Sequence, residues 1–253
     1  MVTAEDIQLR RYCNEPETFM KAWGIIVAGG VGKRMGSAKP KQLLSLDGKT
    51  ILERTLNPFT ECTAIDGIVV VAPENSIDGI AAIIRRMPGL SGRHHIVAGG
   101  RERQDSVKNG LDALPSDTDI VVIHDAVRPF IRSTLINACI DMASRHGAMS
   151  VMRPVKETVK IVDKGVVLKT PERSTLWITQ TPQAFRTELI LEAHDRARED
   201  SFTATDDCML VERLGYSVHI LEGDDLNIKI TTPADLRIAE AVLPLFENGG
   251  KSC

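Results

Sequence analysis

Aromatic side chains, a large excess of either charge and long apolar runs are all scarce in this sequence, and each shortage removes a class of function. Phe, Trp and Tyr make up 4% of the 253 residues, and 31 Lys and Arg stand against 34 Asp and Glu for a net charge of −3. With few stacking platforms and no whole-molecule positive field, general nucleic-acid binding is disfavoured. The longest apolar stretches, such as Ile120 to Ile123, fall far short of the roughly 20 residues that cross a bilayer, so no membrane span is expected. The five cysteines, Cys13, Cys62, Cys139, Cys208 and Cys253, form no C-x-x-C pair and have no histidine at ligand spacing. They read as free thiols in a reducing compartment. Cys253 is the last residue and so cannot be a prenylation cysteine, and the N-terminus carries no charged region followed by an apolar stretch. A cytoplasmic location is the expectation. The strings G-x-S-x-G, H-E-x-x-H and G-x-x-x-x-G-K-[ST] are also missing, which leaves no sign of a serine elbow, a zinc protease helix or a Walker loop.

What is present is an ordinary globular composition, 43% hydrophobic and 26% charged, with ample length for one large α/β domain. Residues 1–21 are polar and read as an N-terminal appendage, with Met20 as the expected natural start. From Ala22 onward, short β-branched runs alternate with amphipathic stretches, the pattern of a parallel sheet with crossover helices. Strands are expected at Ala22 to Val27, Gly67 to Ala72, His94 to Val97, Ile120 to Ile123 and Met149 to Met152. Pro58 should kink or end the helix that follows Thr50. Residues 155–169 read as a hairpin turning at Asp163-Lys164-Gly165, part of an arm at about 155–180 inserted in a domain spanning 22–247, with 248–253 as a tail. A lone two-stranded arm is marginal in water, so it should dock on another surface. Helices near Thr187 to Arg198 and Asp206 to Leu214, a strand at Ser217 to Leu221, and a helix from Pro233 to Leu245 capped by Thr232 complete the expectation.

Three segments concentrate chemistry. Residues 28–42, AGGVGKRMGSAKPKQ, hold four glycines and four cations with no acid. Glycines let a backbone approach a ligand with its N–H groups exposed, and cations among them favour phosphate. The loop follows a strand, where open α/β sheets bind ligands; its glycine spacing does not match the dinucleotide fingerprint, which makes an NAD dehydrogenase a weak alternative. A second cluster, Gly99-Gly100-Arg101-Glu102-Arg103, precedes Asp105 and Ser106; Ser106 is either a helix N-cap or a ligand contact. The third, His124-Asp125-Ala126-Val127-Arg128-Pro129, delivers an acid to a strand end. Asp125 suits Mg²⁺, which takes one or two carboxylates and fills its shell with phosphates and water, unless it merely pairs with Arg128. His124 reads as scaffold. Late in the chain, Lys229 sits between Ile228 and Ile230, as either a solvated edge lysine on a short strand or another phosphate ligand.

Seven segments in order, AGGVGKRMGSAKPKQ, GGRERQDSV, HDAVRP, ETVK, QTPQAF, TDDCMLVE and NIKITTPADL, resemble the 2-C-methyl-D-erythritol 4-phosphate cytidylyltransferase family from about Ala22 to Leu245. The resemblance implies a Rossmann-like nucleotidyltransferase fold, a mostly parallel twisted sheet flanked by helices, with a protruding β-arm for dimerisation. It implies attack by the phosphate of methylerythritol phosphate on the α-phosphorus of CTP, expelling pyrophosphate. Arg34 and Lys41 would contact the CTP phosphates, and Asp125 and Lys229 would sit at the reacting phosphates, with Mg²⁺ bridging the triphosphate at Asp125. Ala28, Gly29, Gly30, Gly32, Gly100, Ser106 and Ala126 would hold the nucleotide. Arg128, Thr158, Thr205 and the partner subunit's Arg173 would bind the acceptor, so a homodimer is implied. Ala28-Gly29-Gly30 and HDAVRPF also resemble ribitol-5-phosphate cytidylyltransferases, and Leu226 stands where many members carry an acid. A ribitol 5-phosphate acceptor is therefore the alternative, and a non-catalytic nucleotide-sensing module a remote one.

Overall fold

β-Branched residues in unbroken runs make strands that are buried on both faces. In β1 (Ala22–Val27), β4 (Ile65–Ala72) and β6 (Ile120–Asp125) nearly every side chain is out of solvent, as expected where a parallel sheet is covered on both sides. The computed structural model describes residues 20–29 and 40–248; Gly30, Gly32, Arg34, the first nineteen residues and the last five lie outside that range. Added to these three strands are β5 (His94–Ala98), β7 (Ala148–Pro154), β10 (Trp177–Arg186) and β11 (His219–Glu222), giving a seven-stranded sheet in the order β11-β7-β10-β6-β1-β4-β5. All neighbours pair in parallel except β10, which runs antiparallel to both β6 and β7.

Strand alternation divides the core. Ile26, Ile120 and Val122 face one layer with helices α1 (Ile51–Glu61), α2 (Ile77–Ile84) and, through Ile136 and Cys139, a long helix at Ser133–His146. Ile25, Val121 and Ile123 face the other, with α3 (Arg103–Asp112) and, past the Ser133–His146 helix taken as α4, α5 (Thr187–Glu199) and α6 (Asp207–Arg213). A short hairpin of β2 (Ser45–Leu46) and β3 (Lys49–Thr50) packs with α7 (Pro233–Asn248) in a third, smaller cluster. Helix α1 starts in a capping box, in which Thr50 Oγ1 accepts the Glu53 N–H at 3.1 Å and the Glu53 carboxylate accepts the Thr50 N–H at 2.7 Å. At α7, Thr232 Oγ1 accepts the Asp235 N–H at 3.2 Å, as the sequence predicts.

The arm leaves from β7 and returns into β10. Its ribbon, β8 (Ile161–Asp163) with β9 (Val166–Lys169), turns through Lys164 and Gly165 at φ 47° and 82°, both left-handed as a tight type I′ hairpin requires. Every residue of β8 and β9 is exposed, including Val162, Val166 and Leu168.

Several expectations need correction. Residues 155–160 are not strand, so the arm's ribbon is shorter than the β-branched pattern suggests. Pro58 does not end helix α1, which continues three residues past it to Glu61. Lys229 is not on a strand: residues 227–230 belong to no helix or strand and are tethered by the Ile230 N–H to the Val127 carbonyl at 2.9 Å. Strand β10 and the β2–β3 hairpin have no counterpart in the sequence reading, since β10 carries Thr, Gln and Pro where a buried strand is normally apolar.

Candidate active site

Alternation along β6 decides what surrounds its end. Asp125 follows Ile123 on the α3/α6 side, whereas His124 points to the α1 side, where its ring lies 5.7 Å from that of Phe59. Three cations converge on the Asp125 carboxylate: Lys229 Nζ at 2.8 Å and Arg128 Nε at 3.4 Å on Oδ2, and Arg103 Nε at 3.7 Å from Oδ1. Burial pushes this carboxyl up, but Lys229, Arg103 and Arg128 outweigh burial and hold it well below the usual carboxylate range. Asp125 is therefore a fixed anion among cations at any ordinary pH.

The cations are themselves anchored. Arg103 Nη1 reaches Asp207 Oδ2 at 2.8 Å, and His194 Nε2 lies 3.4 Å from the other oxygen, so α3, α5 and α6 meet at one buried carboxylate. Burial disfavours the charge on Arg103, yet Asp207 and Asp125 beside it raise its pKa above the ordinary arginine value. Arg128 Nη1 donates to the Asn227 carbonyl at 2.7 Å, tying the β6 end to the segment that carries Lys229. Buried Asn227 in turn donates through Nδ2 to the Thr181 carbonyl at 2.9 Å.

Thr181 lies where β10 is irregular, between Thr179 and Gln183, and its peptide to Pro182 is cis. Its hydroxyl oxygen accepts the Asp125 N–H at 3.1 Å, so its own proton goes to His124 Nδ1 at 2.9 Å. His124 Nε2–H then donates to the Arg128 carbonyl at 3.0 Å. Burial pushes this imidazole down to about 4, so it is a neutral scaffold group, as the sequence reading has it.

The two glycine loops lie at the ends of β1 and β5, the strands on either side of β4. Ala28 N–H donates to the Val71 carbonyl at 2.7 Å and Ala126 N–H to the Val27 carbonyl at 3.1 Å, which aligns the exits of β1, β4 and β6. The basic loop leaves at Gly29 and returns at Pro40; buried Gln42 closes it by donating to the Ala28 carbonyl at 2.9 Å, which sets Lys41 at its base. A Cβ on either Gly29 or Gly99 would stand 3.0 Å from Ser106 Oγ, so the two loops meet over that hydroxyl. Ser106 is not the N-cap of α3: Glu102 takes that position, with the Asp105 carboxylate accepting its N–H at 3.0 Å. Ser106 Oγ instead accepts the Gly100 N–H at 3.1 Å and donates to the Glu102 carbonyl at 3.0 Å, fixing the second loop.

Asp125, Arg128, Thr205 and Lys229 line one cleft of about 490 Å³, together with Arg103 and Thr181. Thr158 and Arg173 do not reach it; both are exposed on the arm, Arg173 donating to the Lys156 carbonyl at 3.2 Å. Arg34, Gly30 and Gly32 lie outside the described residues. The sequence reading missed Arg103, Thr181, Asp207 and Asn227. All four fall inside motifs it quotes, so the signal was there, but nothing in one sequence says which motif residues face Asp125.

Comparison with known proteins gives the class first. Residues 23–244 match the family model described as 2-C-methyl-D-erythritol 4-phosphate cytidylyltransferase, and the chain is a cytidylyltransferase, an enzyme of the nucleotidyltransferase class. A curated relative from Geobacter metallireducens with that description is 45% identical over 88% of this chain and 98% of its own length. One from Pelotomaculum thermopropionicum is 45% identical over 91% and 99%. The crystal structure of 4-diphosphocytidyl-2C-methyl-D-erythritol synthase from Anaerococcus prevotii superposes with a TM-score of 0.80 at 32% identity, covering 89% of this chain and 97% of that one. The Thermus thermophilus structure of 2-C-methyl-D-erythritol 4-phosphate cytidylyltransferase gives 0.70 at 31% identity over 87% and 98%. The chain belongs to the 2-C-methyl-D-erythritol 4-phosphate cytidylyltransferase family.

Proposed function

We propose that this chain transfers the cytidylyl group of CTP to 2-C-methyl-D-erythritol 4-phosphate, releasing pyrophosphate and 4-(cytidine 5′-diphospho)-2-C-methyl-D-erythritol, a step of non-mevalonate isoprenoid synthesis. The observation that carries the reading is the convergence of Lys229, Arg128 and Arg103 on Asp125, in the same cleft as Thr205 and beside two glycine loops joined through Ser106. A phosphate oxygen of the acceptor forms a bond to the α-phosphorus of CTP while the bond from that phosphorus to the β-phosphate bridging oxygen breaks. The attacking oxygen is already anionic at neutral pH, so no general base is needed, and catalysis comes from positioning and charge neutralisation.

The residues divide that work. Arg34 and Lys41 neutralise the triphosphate and the crowded five-coordinate phosphorus. Ala28, Gly29, Gly30, Gly32, Gly100, Ser106 and Ala126 hold the nucleotide, with Ser106 keeping the Gly100 turn in place. Arg128, Lys229 and Thr205 receive the acceptor, and Thr158 and Arg173 complete that site from the arm in a homodimer, consistent with the exposed apolar ribbon. Asp125 fits Mg²⁺: the cations beside it favour its ionised form, and among the described residues the one cation paired with Oδ1 is Arg103, at 3.7 Å, leaving a lone pair for a cation that also binds phosphate oxygens. When bound, Mg²⁺ would neutralise triphosphate charge. No helix among the described residues is long and apolar enough to cross a membrane; the cytoplasm remains the proposed location, on the scattered free cysteines.

The test is pyrophosphate release by purified protein with CTP and Mg²⁺, offered methylerythritol 4-phosphate and ribitol 5-phosphate in turn. Release with the former is expected. Release with ribitol 5-phosphate alone would reassign the acceptor, and release with neither would overturn the reading.

A further inference from the structure

The cleft around Asp125 is polar except at one pair of side chains. Of the described residues that line it, Met152 and Met209 alone are apolar; the others are charged or carry hydroxyl or amide groups. Met152 pairs with Thr179 of β10, and alternation along β7 puts it on the face of Ala148, towards α6. Met209 belongs to α6 and is 36% exposed, although its helix neighbours Cys208, Leu210 and Val211 are buried. The Thr205 hydroxyl donates to Met209 Sδ at 3.8 Å, which holds the thioether at the cleft.

A polyol phosphate can satisfy such a lining with its hydroxyls and phosphate, but a carbon branch on the polyol has nothing to bond. We infer that Met152 and Met209 form the seat of the acceptor's methyl branch and give this chain a preference for a methyl-branched tetritol phosphate over the unbranched one. The inference rests on the functional reading above and names its specificity contact. Thioether side chains are flexible and polarizable, so they close around a methyl group without the fixed shape a branched side chain would need.

The experiment compares kcat/KM for 2-C-methyl-D-erythritol 4-phosphate and D-erythritol 4-phosphate at saturating CTP and Mg²⁺, in the unaltered chain and in Met209→Ser, Met152→Ser and Met209→Leu. Both acceptors are turned over by the same folded enzyme, so their ratio does not depend on how much of a variant is folded. The unaltered chain is expected to favour the methylated acceptor by about tenfold or more, the usual worth of one extra carbon in an apolar pocket. Each serine substitution should lower that ratio by about threefold or more, and Met209→Leu should leave it within about twofold. A ratio near one in the unaltered chain, or serine variants that weaken both acceptors equally, would overturn the inference alone. No turnover of the methylated acceptor by the unaltered chain would overturn the functional reading and this inference with it.

Discussion

Lys229 Nζ lies 2.8 Å from Asp125 Oδ2, and the two differ in exposure: the lysine side chain is 38% accessible, the aspartate 8%. The carboxylate thus fixes one end of an ammonium whose other donors face the cleft. Lys229→Met removes that charge while keeping the stem, and kcat is expected to fall about a hundredfold, the usual loss when one preorganised donor is removed from a reacting oxyanion. Steady-state pyrophosphate release measures it; an unchanged kcat would show that Lys229 serves only to pair with Asp125.

Gly29 and Ser106 give a prediction about the nucleotide. A Cβ at Gly29 would stand 3.0 Å from Ser106 Oγ, tighter than ordinary van der Waals contact. Gly29→Ala must therefore move the hydroxyl that accepts the Gly100 N–H, a hydrogen bond worth about 1 kcal/mol. The KM for CTP should rise about fivefold, with a smaller change in kcat. The CTP dependence of the initial rate decides it, and a KM within error of the parent's would detach Ser106 from nucleotide binding.

Asp207 is 1% exposed and holds Arg103 at 2.8 Å. Burial raises its pKa, but Arg103 and His194 more than offset this and leave the carboxyl below its ordinary value. A carboxyl depressed on folding stabilises the native state fully above its unfolded pKa of about 3.9, and that contribution is lost as pH falls through the lower folded pKa. Urea unfolding from pH 6 down to pH 3 should therefore show stability dropping below about pH 4. Asp207→Asn should flatten that part of the profile and cost about 3 kcal/mol at neutral pH, as removal of one partner from a buried ion pair does. A parallel acid limb in parent and variant would contradict this account.

The apolar ribbon of the arm yields a test of assembly. Leu168 is 64% exposed in β9, beside Val166 and Val167. If the proposed homodimer assembles through the arm, Leu168→Asp should shift it to monomer in sedimentation velocity while leaving thermal unfolding unchanged, because the arm's residues are not part of the core. A parent that sediments as a monomer would remove the arm from the site.

The parallel half of the fold was legible because buried strands announce themselves: Ala22–Val27 is found with its predicted bounds, and Ile120 extends only two residues past its expected end, to Asp125. Strand β10 was not legible, since its Gln180, Thr181 and Gln183 are buried with hydrogen bonds from Gln180 Nε2, Thr181 Oγ1 and Gln183 Nε2 rather than with apolar contact, and hydropathy does not register a buried polar group held by such bonds. The same limit applies to the site. A strand-end acid singles out Asp125 by its chemistry alone, but the residues by themselves leave Arg128 as a salt-bridge partner and Lys229 as either a solvated lysine or a phosphate ligand. Only the family resemblance gives those two a place at the site, where both pair with Asp125. Arg103 and Asp207 meet only because α3 and α6 cover the same face of the sheet, a relation that exists in three dimensions and not along the chain.

The reversed direction of β10 brings the arm to the site. Because β6 and β7 run the same way and β10 returns between them, Pro154 and Trp177 are paired partners at the end of the sheet where Asp125 sits. Both roots of the arm therefore stand at the rim of the cleft that holds Asp125. The stretch of β10 that begins at the arm's root runs directly to Thr181, whose hydroxyl accepts the Asp125 N–H, so one strand joins the arm to the residue that holds the Asp125 backbone.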